Sequence, residues 1–261
     1  MINEKTTTVS VITLIGGVDK SGKRENITID FIPGSITSIV GPTGSGKSRL
    51  LSDVEWMAQK DTPTERQILI NGEKPDPDLR FSIKSKLVAE LSQNMNFVMD
   101  ASVSEFIKMH AESRGIEKPE SFVDRIISGS NELCGESFTG DTPLTALSGG
   151  QSRALMIADT AILSVSPIVL IDEIENAGID RKKALLLLVR QDKIVLIVTH
   201  DPILALTAER RIVIKNGGIY KIITTSKQEK ENLTELENLD NKILQLRTSL
   251  RNGEILDSLN L

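Results

Sequence analysis

Residues 41–48 read Gly41-Pro42-Thr43-Gly44-Ser45-Gly46-Lys47-Ser48 and fit the pattern of a phosphate-binding loop. Glycines let such a loop adopt positive φ angles, so that consecutive backbone N–H groups point inward and form an anion-binding nest beside a helix N-terminus. Lys47 is expected to reach the β- and γ-phosphates of a nucleoside triphosphate, and the Ser48 hydroxyl is placed to ligate Mg²⁺. The loop therefore predicts binding of ATP or GTP together with magnesium.

The residues on either side of this loop supply the strand and the helix that the motif requires. An apolar, β-branched run, Ile36–Val40, leads into the loop, and residues 49–54 follow as a first helical turn. We count Arg49, the residue that opens this turn, among the nucleotide-binding candidates. The alternative is a glycine-rich turn without a ligand, and the strand–loop–helix context argues against it.

Composition and charge narrow the class of protein. The chain has 261 residues, of which 39% are hydrophobic, which is enough for a large domain with a well-filled core. The formal net charge of −5 gives no overall electrostatic reason to expect nucleic acid or an anionic membrane as a partner. The single cysteine, Cys134, cannot form an internal disulfide, and the first residues lack the layout of a secretion signal, so a cytoplasmic location is expected. Apolar runs stay well below the roughly 20 residues that span a bilayer, so any link to a membrane would pass through a partner.

Apolar periodicity predicts an α/β architecture. Residues 7–14 and 27–32 alternate in the manner of early strands. Two near-continuous apolar strands follow later, Ile168–Asp172 and Ile194–Val198, with a helix around residues 182–189 between them. Strand, helix and strand with such apolar strands predict a parallel sheet that is covered on both faces.

The middle and the end of the chain read as helical. Residues 103–115 and the region around Phe122 and Ile126 have helical spacing and predict a helical insert. We expect a nucleotide-binding domain over residues 1–226, with a helical subdomain at about 94–160, and an amphipathic helical tail over residues 227–261. The tail has an apolar stripe too extensive to be left in water, formed by Leu233, Leu236, Leu239, Ile243, Leu246 and Leu250. Its own domain, a second copy of the chain and a separate partner are all open as the surface on which it packs.

Four further features follow the phosphate loop in a fixed order. They are Gln93, the pentapeptide Leu147-Ser148-Gly149-Gly150-Gln151, the pair Asp172-Glu173, and His200. With these features the chain closely resembles the ABC ATPase family, over about residues 9–224. The resemblance implies a P-loop NTPase fold of the ABC type, with a mostly parallel core sheet, an N-terminal antiparallel β part and a helical subdomain insert. It also implies hydrolysis of ATP.

The resemblance and the chemistry of the side chains assign the same roles. Asp172 ends an apolar strand and suits the coordination shell of Mg²⁺ through water. Glu173 is the candidate general base that orients or deprotonates the water attacking the γ-phosphate. His200 is expected to hydrogen-bond the γ-phosphate or that water, and Gln93 to contact Mg²⁺ or water and to link the site to the helical insert. Solvated acids, a turn histidine and an ordinary loop glutamine are the respective alternatives.

The pentapeptide suggests that the site is completed by a second chain. Ser148, Gly149, Gly150 and Gln151 read as a helix N-terminus, whose free N–H groups and dipole suit a phosphate. One phosphate cannot comfortably use this end and the phosphate loop of the same chain. The resemblance implies a head-to-tail homodimer instead, in which Ser148 and Gly149 of one protomer close over ATP held by Lys47 of the other.

Two departures from the family pattern bear on specificity and role. Residues 14–24 contain no aromatic residue to stack on adenine, so Val18 or the stem of Lys20 is expected to cover the base and discrimination of ATP from GTP to be modest. Residues 174–180 lack the proline that transporter-type members usually have, and Asp180 matches the family's dimer-interface aspartate only loosely. On this ground we favour a soluble ATPase that remodels a protein partner. The alternative is the cytosolic ATP-binding subunit of a membrane transporter, which residues 101–107 resemble.

Overall fold

The computed structural model describes residues 8–77, 80, 87–92, 97–172, 174 and 178–255, and for residue 251 the backbone alone. The strands are β1 (Ile12–Ile15), β2 (Thr28–Phe31), β3 (Ile36–Val40), β4 (Gln67–Ile70), β5 (Val88–Leu91), β6 (Ile168–Asp172), β7 (Ile194–Val198), β8 (Arg210–Lys215) and β9 (Gly218–Thr224). The helices are α1 (Lys47–Glu55), α2 (Val103–Ser113), α3 (Glu120–Leu133), α4 (Gly149–Ile162), α5 (Arg181–Val189), α6 (Pro202–Thr207) and α7 (Lys227–Arg251).

The strands form two sheets. In the described residues the larger sheet has six strands in the order β5-β6-β7-β3-β8-β9, all parallel except the β8–β9 hairpin. The smaller sheet is antiparallel, in the order β2-β1-β4. The predicted α/β fold, with a mostly parallel core sheet and an N-terminal antiparallel part, is therefore confirmed.

The parallel sheet is buried on both faces because its apolar residues alternate between two cores. From β6, Ile168 and Leu170 face a core that α1 and the smaller sheet complete, whereas Val169 and Ile171 face a second core that α4 and α5 cover. β7 alternates in the same way. This double coverage is what the unbroken apolar runs of the sequence predict.

The predicted helical insert is present as α2, α3 and α4, with a 3₁₀ turn at Leu144–Ala146 before α4. These elements share a third core, which includes Val103, Ile107, Ile126 and Leu155. A capping box at Ser102 fixes the start of α2, since its side chain accepts from the Glu105 backbone N–H and Glu105 bonds back to Ser102. The boundaries proposed for the subdomain and for the tail remain predictions.

The tail forms the predicted long helix, α7, which begins at a capping box on Ser226. Its first half packs against the rest of the chain, where it contacts α6. Among the residues of the predicted stripe, Leu233, Leu236 and Leu246 are half-buried, and Leu239, Ile243 and Leu250 are exposed. The stripe is therefore only partly covered by the chain's own domain.

Candidate nucleotide site

Strand register brings the main candidate residues to one edge of the larger sheet. Val198 of β7 pairs with Asp172 on one side and with Ile39 of β3 on the other, so the three parallel strands end level. The phosphate loop that follows β3, Asp172 at the end of β6 and His200 after β7 consequently lie at the same carboxyl edge. Ligands of open α/β sheets bind at that edge.

Two glycines of the loop stand where a side chain cannot fit. Gly41 has φ of 153°, and a Cβ there would lie 2.4 Å from the carbonyl oxygen of Ile214. Gly46 has φ of 106°, and a Cβ there would lie 2.9 Å from the Cα of Gly217. Gly46 is also the residue before α1 and provides no side-chain cap, so the first N–H groups of this helix are left to face the loop. The loop is thus a backbone cradle of the kind that binds phosphate.

The polar side chains of the loop fit the same purpose. The Lys47 ammonium is buried and donates to the carbonyl oxygens of Gly41 and Pro42, at 3.0 and 3.2 Å. The hydroxyl oxygen of Ser45 is buried without a hydrogen-bond partner in the described part of the chain. Ser48 and Arg49, in the first turn of α1, are exposed. A cation folded into the loop and an unsatisfied buried hydroxyl are both groups that a bound polyphosphate would satisfy.

Two neighbouring segments brace the loop, and sequence analysis missed both contacts. The backbone N–H of Gly217, in the tight β8–β9 turn, donates to the carbonyl oxygen of Ser45 at 2.7 Å. The Lys20 ammonium donates to the carbonyl oxygen of Gly44 at 3.2 Å. The backbone N–H of Lys20 donates to the carbonyl oxygen of Asn216 at 3.0 Å. The Asn-Gly turn signal predicts the hairpin but not where its tip packs. Lys20, proposed to cover the base, thus lies against the phosphate loop.

A buried ion cluster behind these contacts was also missed. The Arg66 side chain is fully buried and forms a bidentate pair with Glu25, with N–O distances of 2.7 and 3.0 Å. It also donates to Asp53 of α1 at 2.9 Å and to the carbonyl oxygen of Gly217 at 2.9 Å. Because Gly217 in turn bonds Ser45, the cluster ties the smaller sheet and α1 to the phosphate loop.

The ionisation of this cluster is set by its members. Burial works to raise the pKa of Glu25, but the hydrogen bonds and charge of Arg66 outweigh burial and lower that pKa below its ordinary value. Burial works to lower the pKa of Arg66, and the two carboxylates outweigh it and raise that pKa. Both groups are therefore charged near neutral pH, as a buried pair with bidentate geometry requires.

The pentapeptide forms a second helix N-terminus at the start of α4. Ser148 is the capping residue and accepts from the backbone N–H of Gln151, while the Gln151 side chain accepts from the backbone N–H of Ser148 and donates to the carbonyl oxygen of Glu136. Ser148 and Gly149 are exposed and Gly150 is half-buried. Within the ranges that the structure covers, no hydrogen bond joins residues 148–151 to residues 41–49.

Four other candidates have different outcomes. Gln93 and Glu173 lie outside the described residues. His200 is exposed and lies two residues after the end of β7, next to Asp201, which caps α6. Asp180 caps α5 by accepting from the backbone N–H of Lys183 at 3.0 Å, which gives this residue a structural role.

Comparison with known proteins shows the family of the chain. The sequence model of the ABC transporter family matches residues 24–176. An uncharacterized ABC transporter ATP-binding protein of Methanocaldococcus jannaschii is 53% identical over 247 residues, which are 94% of this chain and 94% of that protein. An energy-coupling factor transporter ATP-binding protein of Lactobacillus delbrueckii subsp. bulgaricus is 28% identical over 193 residues, 71% of this chain and 67% of that protein.

A solved structure shares the fold. It is a dimer of an ATP-binding cassette of M. jannaschii in a post-hydrolysis state with ADP and phosphate, and it matches with a TM-score of 0.60 and 23% identity over 82% of this chain and 99% of that one. No helix in the described ranges is both long and apolar enough to cross a membrane. On the strength of the family match and the 53% identical relative, this chain belongs to the ABC transporter family of ATP-binding proteins and is an ABC ATPase.

Proposed function

We propose that this ABC ATPase is the ATP-binding subunit of a membrane transporter. The observation that carries the proposal is the match to relatives that are themselves named transporter ATP-binding proteins, one of them over 94% of both chains. The prediction of a soluble, protein-remodelling ATPase rested on one short departure, residues 174–180, and the relatives do not support it. The subunit would act at the cytoplasmic side of the membrane, through a transmembrane partner.

The phosphate loop is proposed to hold the triphosphate. The backbone N–H groups of residues 44–48 would bind the phosphate oxygens, and Lys47 would exchange its two carbonyl acceptors for the β- and γ-phosphates. Lys20, which already contacts Gly44, would lie beside the nucleoside in place of an aromatic platform. The aliphatic part of the Lys20 side chain would distinguish adenine from guanine less well than a stacked aromatic ring, so selectivity for ATP over GTP would be modest.

The oxygen donors at this edge fit magnesium. The exposed Ser48 hydroxyl, in the first turn of α1, and the Asp172 carboxylate, at the end of β6, would supply hard oxygen ligands at this edge, and Gln93 is proposed as a third. When bound, Mg²⁺ would neutralise phosphate charge. Glu173 would accept the proton of the attacking water as general base, and His200 would orient that water or the γ-phosphate.

Closure of the site is proposed to need a second copy of the chain. The N-terminus of α4 exposes Ser148 and Gly149, and the capping box between Ser148 and Gln151 keeps the first turn formed. A head-to-tail pair would place this end over the nucleotide of the other copy, so that ATP joins the two protomers and hydrolysis releases them.

Membrane reconstitution tests the transporter assignment. Purified full-length chain is added back to native membranes that alkaline carbonate has stripped of peripheral proteins. We expect saturable rebinding, and co-purification with a membrane-spanning protein after detergent extraction. Membranes pretreated with protease serve as control, because binding to a protein partner is then lost while binding to lipid persists. Recovery of the chain in the supernatant at all concentrations would support the soluble alternative.

A further inference from the structure

The two halves of α7 have different surroundings. Ion pairs tie the first half to the nucleotide-binding domain, between Arg211 and Glu229, between Lys182 and Glu237 at 2.7 Å, and between Arg181 and Asp240 at 2.8 Å. Beyond Asp240 the described side chains make no further ion pair with the domain. In this second half Ile243 and Leu250 are exposed and Leu246 is half-buried.

Five apolar side chains of α7 form a narrow seam with a coiled-coil repeat. Leu236, Leu239, Ile243, Leu246 and Leu250 are spaced by three, four, three and four residues. This is the period of 3.5 that keeps apolar residues on one line facing a partner helix, rather than the wider stripe of a helix packed on a globular core. Within this seam, Leu239, Ile243 and Leu250 are 49%, 43% and 59% exposed. A seam of this width suits packing against one further helix.

We propose that the seam of α7 pairs antiparallel with the same seam of a second copy of this chain, without nucleotide. In the register that buries the exposed residues, Ile243 packs against Leu246 of the second copy and Leu239 against Leu250, each pair occurring twice. Such a pairing is two-fold symmetric, as contacts between identical chains usually are. It uses only residues 239–250, which the fold-back of the first half leaves available.

Charges beside the seam select the antiparallel direction. In a parallel pair, flanking residues five apart meet, which puts Lys242 beside Arg247 and Glu235 beside Asp240 of the second copy. Both contacts join like charges. In the antiparallel register, Asp240 lies beside Arg247 on either side of the central Ile243–Leu246 layers, and Lys242 lies beside Ser249, which is neutral. Asp240 already bonds Arg181, so this acid would sit between two guanidinium groups.

Cross-linking of single-cysteine variants distinguishes the antiparallel pair of α7 helices from a parallel pair. In a Cys134→Ser background, Ile243→Cys and Leu250→Cys are oxidised without nucleotide. A rise of 1.5 Å per residue puts the two copies of residue 243 about 4.5 Å apart along the helix axis, and those of residue 250 about 16 Å apart. We expect disulfide-linked dimers from Ile243→Cys only. Dimers from both variants would establish a parallel pair, dimers from neither would leave the seam to another protein, and either result overturns the proposal.

Charge reversal at Arg247 and at Lys242 provides a second test of the antiparallel register. Arg247→Glu puts like charges together twice in the antiparallel pair, so the concentration-dependent dimer seen by sedimentation without nucleotide should be lost. Lys242→Glu, an equal charge change on the same helix, should leave dimerisation unchanged, whereas in a parallel pair it would strengthen it. Unchanged melting temperatures for both variants at low protein concentration would show that the fold is intact. Equal weakening by both substitutions would contradict the proposed register.

Discussion

Replacing Arg66 with methionine is expected to lower the free energy of unfolding by about 3–5 kcal/mol, measured by urea denaturation at neutral pH. The substitution leaves the Glu25 and Asp53 side chains buried without the guanidinium that pairs with both. It also removes the donor that holds the carbonyl oxygen of Gly217. Since the N–H of that residue supports Ser45, weaker nucleotide binding should accompany the lower stability.

Two controls separate the buried cluster from a general charge effect. Arg24→Met removes an arginine from an exposed ion pair with Glu65, and such pairs contribute about 0–1 kcal/mol. The triple change Arg66→Met, Glu25→Gln and Asp53→Asn removes the stranded charges and should recover part of the loss. A stability of Arg66→Met equal to that of Arg24→Met would show that the cluster contributes little.

The pH dependence of this effect has a definite sign. The folded pKa of Glu25 lies below its unfolded value, so the stability from the Arg66 pair is fully present above the unfolded pKa, near 4.3, and is lost as pH falls through the lower folded pKa. Without Arg66, burial would raise the pKa of Glu25, and protonation would then relieve the stranded charge. The stability gap between wild type and variant should therefore be larger at pH 7 than at pH 4.

Glu173→Gln is expected to reduce the steady-state rate of ATP hydrolysis by at least about 10²-fold while nucleotide binding is retained, because an amide cannot accept the proton of the attacking water. Bound ATP would then persist, so Glu173→Gln combined with Arg247→Glu, which removes the proposed α7 pair, should sediment as a monomer without nucleotide and as a dimer with ATP and Mg²⁺. Phosphate release and sedimentation velocity measure the two effects.

Glu175→Gln is the matched control for that substitution, since it makes the same chemical change two residues further along the chain. It should leave turnover close to that of the wild type. Turnover of Glu173→Gln equal to that of Glu175→Gln would remove Glu173 from the mechanism.

The sequence predicts which residues lie at the carboxyl edge of the larger sheet, because the sequence patterns that indicate them are local. A strand, a glycine loop and a helix are contiguous around Lys47, and parallel strands necessarily bring Asp172 and His200 to the edge where that loop lies. The burial of β6 and β7 on both faces likewise follows from their unbroken apolar runs.

The Arg66 cluster could not be predicted because its signal is not local. Glu25, Asp53 and Arg66 come from three separate segments, and each residue alone resembles an ordinary solvated charge. Their burial depends on how the smaller sheet packs against α1, which is a tertiary property. The contact of Gly217 with Ser45 has the same origin.

The surroundings of the C-terminal helix α7 are a second feature that sequence periodicity does not predict. The stripe from Leu233 to Leu250 predicts one amphipathic helix, but spacing alone does not say what covers its apolar face. In the structure the ion pairs of Glu237 and Asp240 attach the first half to the domain and leave the seam of the second half exposed. The soluble role was likewise predicted from one short segment, whereas the relative that matches over 94% of both chains is named a transporter ATP-binding protein and favours the alternative.

Mixing two inactive variants tests the shared nucleotide site most directly. Lys47→Ala removes the phosphate-binding cation, and Ser148→Arg blocks the N-terminus of α4, so each variant alone should lack ATPase activity. If each site combines the loop of one copy with α4 of the other, an equal mixture should recover about a quarter of wild-type activity, because half the dimers are mixed and each of these has one intact site. Both variants carry Arg247→Glu, so that mixed dimers report the nucleotide-dependent pair and not the α7 pair. Activity that stays at the level of the separate variants, although sedimentation with ATP shows mixed dimers, would contradict the two-chain site.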